Sequence, residues 1–86
     1  MKAIFSPLAE KQLKKFPKIT QILVAKKVRQ IRDQDVITSV EILSGYKGMY
    51  RIRIGDYRLI FRKYSDKIYF VLIAHRKEVY KLLARI

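Results

Sequence analysis

The chain has no cysteine, one histidine, three glycines, two prolines and only seven acidic residues among 86. Without cysteine it can form neither a disulfide nor a thiolate metal site, and it has no thiol nucleophile. A single histidine leaves a transition-metal centre short of ligands, so we expect no metal and no cofactor. The few glycines and prolines mark local turns and build no linker, which predicts one domain over residues 1–86.

Long hydrophobic runs are also missing. The longest apolar stretch, IYFVLIA at residues 68–74, is far shorter than the ~20 apolar residues of a membrane span. The amino-terminal stretch MKAIFSPLAEKQ lacks the apolar core of a secretory signal. We therefore expect a cytoplasmic protein that makes no contact with a membrane.

Positive charge dominates what is present. Lys and Arg number 20 against 7 Asp and Glu, which gives a net charge of +13 and a pI near 10.3. Such a surface attracts polyanions, because binding releases the counterions of a phosphate backbone and charge steers the encounter. Half of the residues are hydrophobic, enough for a folded core. Composition thus favours a globular protein that binds nucleic acid or a strongly acidic protein.

The first part of the chain is predicted to form a strand and a helical hairpin. KAIF favours a short strand, and Ser6 followed by Pro7 is typical of a helix start, since serine caps the amino terminus and proline fits the first turn. A first helix then runs to about Phe16, and a second spans residues 17–33. The second helix carries a broad apolar stripe made of Ile19, Ile22, Leu23, Val24, Val28 and Ile31.

The second part is predicted to form a sheet. Residues 33–48 have no clear period and indicate a loop with at most one short element. Strands follow near residues 49–54, 57–64 and 67–74, with turns at Gly55-Asp56 and Ser65-Asp66, before a short helix in HRKEVYKLLARI. We therefore predict an α+β fold, in which an antiparallel helix hairpin packs on a twisted, mainly antiparallel sheet of about four strands with a short C-terminal helix.

The two-residue loop Gly55-Asp56 sets the register of the first β-hairpin and separates its side chains by charge. One face, predicted to lie under the helices, carries Tyr50, Ile52, Ile54, Tyr57, Leu59 and Phe61, and the other carries Arg51, Arg53, Arg58, Ile60 and Arg62. A loop at Ser65-Asp66 would add Ile68, Phe70, Leu72 and Ala74 to the apolar face and Tyr69, Val71, Ile73 and His75 to the charged face.

The charged face sets Arg53 directly across from Arg58, and like charges in that position are destabilising. An anion would relieve the repulsion, and the planar fork of arginine suits phosphate oxygens. The alternative is a solvated face whose guanidiniums pair with Glu41 or Asp66. The pattern alone leaves both interpretations open and favours a phosphate-binding face.

The segment YRIRIGDYRLIF, within the stretch from Leu43 to Phe61, is followed by AHRKEVY from Ala74 to Tyr80. This combination resembles the RelE/ParE superfamily of toxins from prokaryotic toxin-antitoxin systems, most closely the RelE-type messenger-RNA endoribonucleases. The resemblance covers nearly the whole chain and implies a fold like that of small microbial ribonucleases. It also implies a metal-independent reaction in which the ribose 2′-hydroxyl attacks the adjacent phosphate of messenger RNA in the ribosomal A site.

The resemblance assigns catalytic roles to residues on the charged face and near the last helix. The candidates that match family positions are Arg51, Arg53, Arg58, Arg76 and Tyr80. Arginine is too weak an acid to serve readily as a general base, so His75 is the candidate for proton transfer because its pKa normally lies near neutrality. Glu41 and Glu78 are further bases in principle. The basic residues Lys47, Arg62 and Lys63 are predicted to bind RNA.

The resemblance leaves three functions open and implies several partners. A RelE-type nuclease would act on the ribosome and messenger RNA, whereas a ParE-type relative would inhibit DNA gyrase without cutting RNA. A third alternative is a protein that binds RNA and transfers no protons. In the toxin interpretations we expect a cognate RelB-like antitoxin, with an acidic or amphipathic segment that wraps this basic chain.

Overall fold

In the computed structural model, which describes residues 1–34 and 40–86, two helices near the amino terminus and one near the carboxyl terminus accompany the strands of one sheet. No helix within those residues is long and apolar enough to cross a membrane. The elements in chain order are β1 (Lys2–Phe5), α1 (Pro7–Lys14), α2 (Lys18–Gln34), β2 (Val40–Ile42), β3 (Met49–Ile54), β4 (Tyr57–Lys63), β5 (Lys67–His75) and α3 (Val79–Leu83).

The sheet has the strand order β1-β5-β4-β3-β2, in which β1 runs parallel to β5 and the other pairs are antiparallel. The predicted α+β class is confirmed. The described part of the sheet has five strands instead of about four, because Val40–Ile42 pairs with β3 inside the stretch predicted as a loop. Residues 35–39 of that stretch lie outside the described residues.

A buried serine fixes the start of α1 against the sheet. Ser6 has extended backbone angles, and its Oγ accepts a hydrogen bond of 2.9 Å from the Ala9 amide, as an N-cap does. The same hydroxyl donates to the Val71 carbonyl of β5, which joins the helix start to the sheet. The helix ends at Lys14, slightly before the predicted end at Phe16.

Only half of the apolar stripe predicted for α2 is buried. Val24, Val28 and Ile31 are buried against the sheet, but Ile19, Ile22 and Leu23 are 65%, 52% and 45% exposed. A helix packed on one side buries a stripe little more than 100° wide. Positions 19, 22 and 23 point away from the row formed by 24, 28 and 31, so these three side chains form an exposed apolar patch.

The β4–β5 pairing contains a bulge that the sequence did not predict. Phe61 pairs with Phe70, as the Ser65-Asp66 loop requires, but Ile60 pairs with Leu72. Val71 is therefore an extra residue on β5. An extra residue reverses the alternation of side chains along the rest of the strand.

The reversal corrects the predicted faces of four residues on β5. Leu72 and Ala74, predicted to lie under the helices, belong to the core on the opposite face, while Ile73 belongs to the core under the helices. His75, predicted on the charged face, packs edge-on against the ring of Tyr57 at a centroid distance of 5.7 Å.

Two cores lie on opposite faces of the sheet. The face under α1 and α2, here the hairpin face, buries a cluster that includes Val24, Ile52, Leu59, Phe61 and Phe70. The other face, here the arginine face, carries Arg51, Arg53 and Arg58, and it is partly covered by α3. Its core includes Leu43, Met49, Ile60, Leu72, Val79 and Leu83. The arginines therefore border a packed layer instead of lying on an open sheet.

Candidate active site

Arg51 links three elements on the arginine face. Strand pairing sets Arg51 directly opposite Glu41 of β2, and its Nη2 lies 2.6 Å from the Glu41 Oε2. Its Nη1 donates to the hydroxyl of Tyr80 on α3. The side chain is 17% exposed, and its Nε is buried with no hydrogen-bond partner among the described residues. The guanidinium thus lies between a carboxylate and a phenol.

Glu41 bridges two arginines. Its second oxygen, Oε1, lies 2.8 Å from the Arg53 Nε. The hydrogen bond from Arg51 lowers the pKa of Glu41, and the positive charges of Arg51, Arg53 and Arg58 lower it further, whereas partial burial opposes them. The carboxylate is therefore ionised at neutral pH. From the sequence, Glu41 is a general base only in principle, because it lies in a stretch predicted as a loop. The alternation in Val-Glu-Ile is the signal that could have identified this edge strand.

Arg53 and Arg58 are cross-strand partners, as the loop at residues 55 and 56 predicted. The Arg58 Nη1 donates to the carbonyl oxygens of Gly55 at 2.9 Å and Tyr57 at 3.1 Å. Burial lowers the pKa of Arg58, and the neighbouring charges of Arg53, Arg51 and Arg76 lower it further. We call Arg51, Arg53, Arg58 and Arg76 the arginine cluster, since their charges act on one another.

Arg76 reaches the cluster from the turn that follows β5. Its backbone amide donates to the Asp56 carbonyl at 2.7 Å. Its Nε lies 3.7 Å from the Asp56 Oδ1. These contacts hold the end of β5 against the β3–β4 loop. The carboxylates paired with the cluster in the described chain are Glu41 and Asp56, so positive charge remains in excess.

Tyr80 is positioned by the packing of α3. Val79 and Leu83 are one turn apart and are buried in the core of the arginine face. Tyr80 follows Val79 and turns away from that core, so its side chain is 50% exposed and its hydroxyl meets Arg51. Because Arg51 donates to the oxygen, the hydroxyl proton of Tyr80 remains available for a ligand.

The structure does not bring His75 together with the arginine cluster. The imidazole lies on the hairpin face against Tyr57, and its Nδ1 accepts a hydrogen bond of 3.1 Å from the Lys77 amide. His75 lines a cavity of about 270 Å³ on this face, and Glu78, the other candidate carboxylate base, lines the same cavity. The bulge at Val71 explains this placement, because it moves the end of β5 by one residue.

The three predicted RNA-binding residues lie in two places. Lys47 and Arg62 line a cavity of about 310 Å³ with Leu83 at the end of α3. Lys63 is on the hairpin face, where it lines a cavity with Phe61. Alternation along β4 explains the difference, since Arg62 and Lys63 point to opposite sides of the sheet.

Comparison with known proteins identifies relatives over most of the chain. Residues 3–80 match the family described as the ParE toxin of type II toxin-antitoxin system, parDE. The toxin RelE3 of Methanocaldococcus jannaschii is 30% identical over 84 residues, which cover 93% of this chain and 96% of that protein.

Solved structures that share the fold include the following two. The RelB-RelE antitoxin-toxin complex from Methanococcus jannaschii matches with a TM-score of 0.81 at 24% identity, covering 92% of this chain and 96% of that chain. The isolated RelE toxin of E. coli matches with a TM-score of 0.71 at 20% identity, covering 98% and 95%. At these identities the likeness establishes a common fold.

Proposed function

The chain belongs to the ParE toxin family of type II toxin-antitoxin systems, and from this premise we propose that it is a ribosome-dependent endoribonuclease that cleaves messenger RNA. The family membership confirms the resemblance to the RelE/ParE superfamily. We propose further that residues 1–86 act as one toxin domain and that cleavage inhibits translation.

One observation carries the proposal. A single guanidinium, that of Arg51, contacts both the Glu41 carboxylate and the Tyr80 hydroxyl, and Arg53 contacts the same carboxylate. Cleavage through the 2′-hydroxyl requires a proton acceptor, a proton donor and positive charge around the phosphate. These three kinds of group converge on one face, held by β2, β3 and α3.

The proposed reaction assigns a step to each group. Glu41 takes the proton of the 2′-hydroxyl while that oxygen forms a bond to phosphorus. The arginine cluster stabilises the charge on the phosphorane oxygens. The bond from phosphorus to the 5′ oxygen then breaks, and Tyr80 gives its proton to that oxygen. The products are a 2′,3′-cyclic phosphate and a 5′-hydroxyl, and proton exchange with water restores Glu41 and Tyr80.

Glu41 replaces His75 as the proposed proton acceptor. The arginines cannot take this role, because a guanidinium stays protonated. His75 lies on the other face of the sheet, where it contacts Tyr57. Glu41 is ionised and 40% exposed, so it is accessible to a ribose. Lys47 and Arg62 would extend the RNA contact along the arginine face.

A cognate antitoxin is the second proposed partner. A net charge of +13 favours an acidic partner, and the apolar patch of Ile19, Ile22 and Leu23 on α2 is exposed. An amphipathic segment with acidic flanks would complement both features. The fold relative from Methanococcus jannaschii is described as a RelB-RelE antitoxin-toxin complex, which supports a RelB-like antitoxin here.

The decisive experiment is cell-free translation of a defined messenger in the presence of the protein, followed by mapping of new 5′ ends. The nuclease proposal expects 5′-hydroxyl ends that appear only when ribosomes occupy the message. Association with ribosomes should also fall steeply as salt rises, because phosphate contacts release counterions. Intact messenger at inhibitory protein concentrations would contradict the proposal.

A second candidate function follows from the family match itself, which is to a model described as a ParE toxin. In that case the chain would inhibit DNA gyrase as a binding protein. A supercoiling assay with purified gyrase separates the two candidates, since a nuclease leaves supercoiling unchanged. A chain with neither effect that still binds RNA would be a non-catalytic RNA-binding protein.

A further inference from the structure

The Glu41 carboxylate occupies a position suited to an oxyanion. Its two oxygens lie 2.6 Å from the Arg51 Nη2 and 2.8 Å from the Arg53 Nε. These distances are typical of charge-assisted hydrogen bonds. A phosphate group can offer two oxygens to the same pair of arginines, so the carboxylate and a phosphate are alternative ligands for one site.

We propose that Glu41 is an internal competitor of the RNA phosphate, which displaces it from Arg51 and Arg53 and thereby frees it to accept a proton. The inference rests on the proposed function, since that function supplies RNA as the ligand. Before RNA binds, Glu41 positions the side chains of Arg51 and Arg53. After RNA binds, Glu41 acts as a proton acceptor.

The burial of Arg51 explains why displacement is required. Only 17% of its side chain is exposed, whereas Glu41 is 40% exposed and Arg53 is 57% exposed. A phosphate therefore finds little of the Arg51 guanidinium accessible until the carboxylate withdraws. Glu41 is the more exposed partner and can withdraw into water, and the phosphate then replaces it as the partner of the buried Arg51 charge.

Release changes the chemistry of the carboxylate. The hydrogen bond from Arg51 is the largest cause of the lowered pKa of Glu41, followed by the charges of Arg51, Arg53 and Arg58. When a phosphate takes that hydrogen bond and neutralises those charges, the pKa of Glu41 rises towards its ordinary value. Proton acceptance thus becomes favourable only in the complex with RNA.

The test is a binding measurement that does not depend on cleavage. The probe is a short single-stranded RNA whose 2′-hydroxyls are methylated, and fluorescence anisotropy gives its Kd for the wild type and for Glu41→Gln. We expect Glu41→Gln to bind about twofold to fivefold more tightly, the range of a weak ion pair. Unchanged or weaker binding would overturn the proposal.

Asp33→Asn is the matched control, because it removes the same charge beside Arg32 on α2, away from the arginine cluster. We expect this control to gain clearly less RNA affinity than Glu41→Gln. An equal gain in affinity would mean that net charge alone determines binding, which would contradict the proposal. Thermal melting checks that both variants fold.

A second measurement follows Glu41 directly. Its carboxyl carbon is titrated by ¹³C NMR in the free protein and in the complex with the methylated RNA. We expect a higher pKa in the complex, and an unchanged or lower pKa would contradict displacement. If Glu41→Gln binds more tightly but the wild type cleaves no messenger on ribosomes, the nuclease proposal fails and the displacement of Glu41 by phosphate stands. If cleavage is found without tighter binding, only this inference fails.

Discussion

The guanidinium of Arg51 donates a hydrogen bond to the hydroxyl of Tyr80, a residue 29 positions later in the chain. Arg51 is on a strand, and Tyr80 is on a helix of only five residues. The helix is held by the buried side chains of Val79 and Leu83. The geometry of the site therefore depends on the packing of α3 against the arginine face.

Replacing Tyr80 with phenylalanine should slow cleavage strongly while leaving the fold intact. The change removes the proposed proton donor, and general acid catalysis contributes about 10²–10⁴-fold to rates. Because the ring is half exposed, we expect stability to fall by about 1 kcal/mol or less. The measurements are the yield of new 5′-hydroxyl ends in cell-free translation and urea unfolding. Cleavage at the wild-type rate would remove Tyr80 from the mechanism.

Arg58→Ala should reduce cleavage by about 10²–10³-fold, the usual cost of losing one stabilising charge at a transition state. Arg29→Ala is the control, since Arg29 is exposed on α2 and the change in net charge is identical. Cleavage assays on both variants at the same salt concentration separate local from global electrostatics. Equal losses in the two variants would show that the total charge alone matters.

The Glu41 ion pairs should make stability fall in acid. The folded pKa of Glu41 lies below the ordinary value of 4.5, so the pairs contribute stability above that pH, and the contribution is lost as pH falls through the folded pKa. Urea unfolding of the wild type and Glu41→Gln at pH 7 and pH 3 measures this effect. We expect the variant to lose less stability between the two pH values, and parallel losses would contradict the expectation.

Two isoleucines on the same helix should respond differently to truncation. Ile31 is fully buried and Ile22 is 52% exposed. Ile31→Ala should cost about 2–5 kcal/mol of unfolding free energy because it leaves a cavity. Ile22→Ala should change stability by about 0.5 kcal/mol or less and should weaken antitoxin binding. Urea unfolding and a pull-down with the antitoxin measure the two effects, and a large stability loss in Ile22→Ala would contradict the exposed patch.

The β3–β4 hairpin could be predicted from the sequence residue by residue. Arginine and isoleucine alternate along β3, and a two-residue loop fixes the register, so Arg53 faces Arg58 as expected. The bulge at Val71 could not be predicted, because every residue of IYFVLIA is apolar and no polar residue marks a change of face. The sequence therefore predicts the wrong face of the sheet for His75, because the uniform apolar run hides the bulge.

The other differences have similar causes. Buried and exposed isoleucines look alike in a sequence, so the sequence predicts a wider apolar stripe on α2 than the helix buries. The role of Glu41 depends on β2, a strand of three residues, and strands so short leave little periodicity to detect. Alternation predicts the face that carries Arg51, Arg53 and Arg58, and the resemblance adds Arg76, Tyr80 and the catalytic roles. The structure adds the contacts of Arg51 with Glu41 and Tyr80 and of Arg53 with Glu41.

The bulge on β5 also bears on how relatives of this chain should be aligned. Residues after Val71 keep their spacing to α3 but change sides relative to the residues before it. In a relative that lacks the extra residue, the residue aligned with His75 would lie on the opposite face of the sheet, although the sequence around it is unchanged. Insertions of one residue in this strand are therefore as informative about which side chains meet the substrate as substitutions at the site itself.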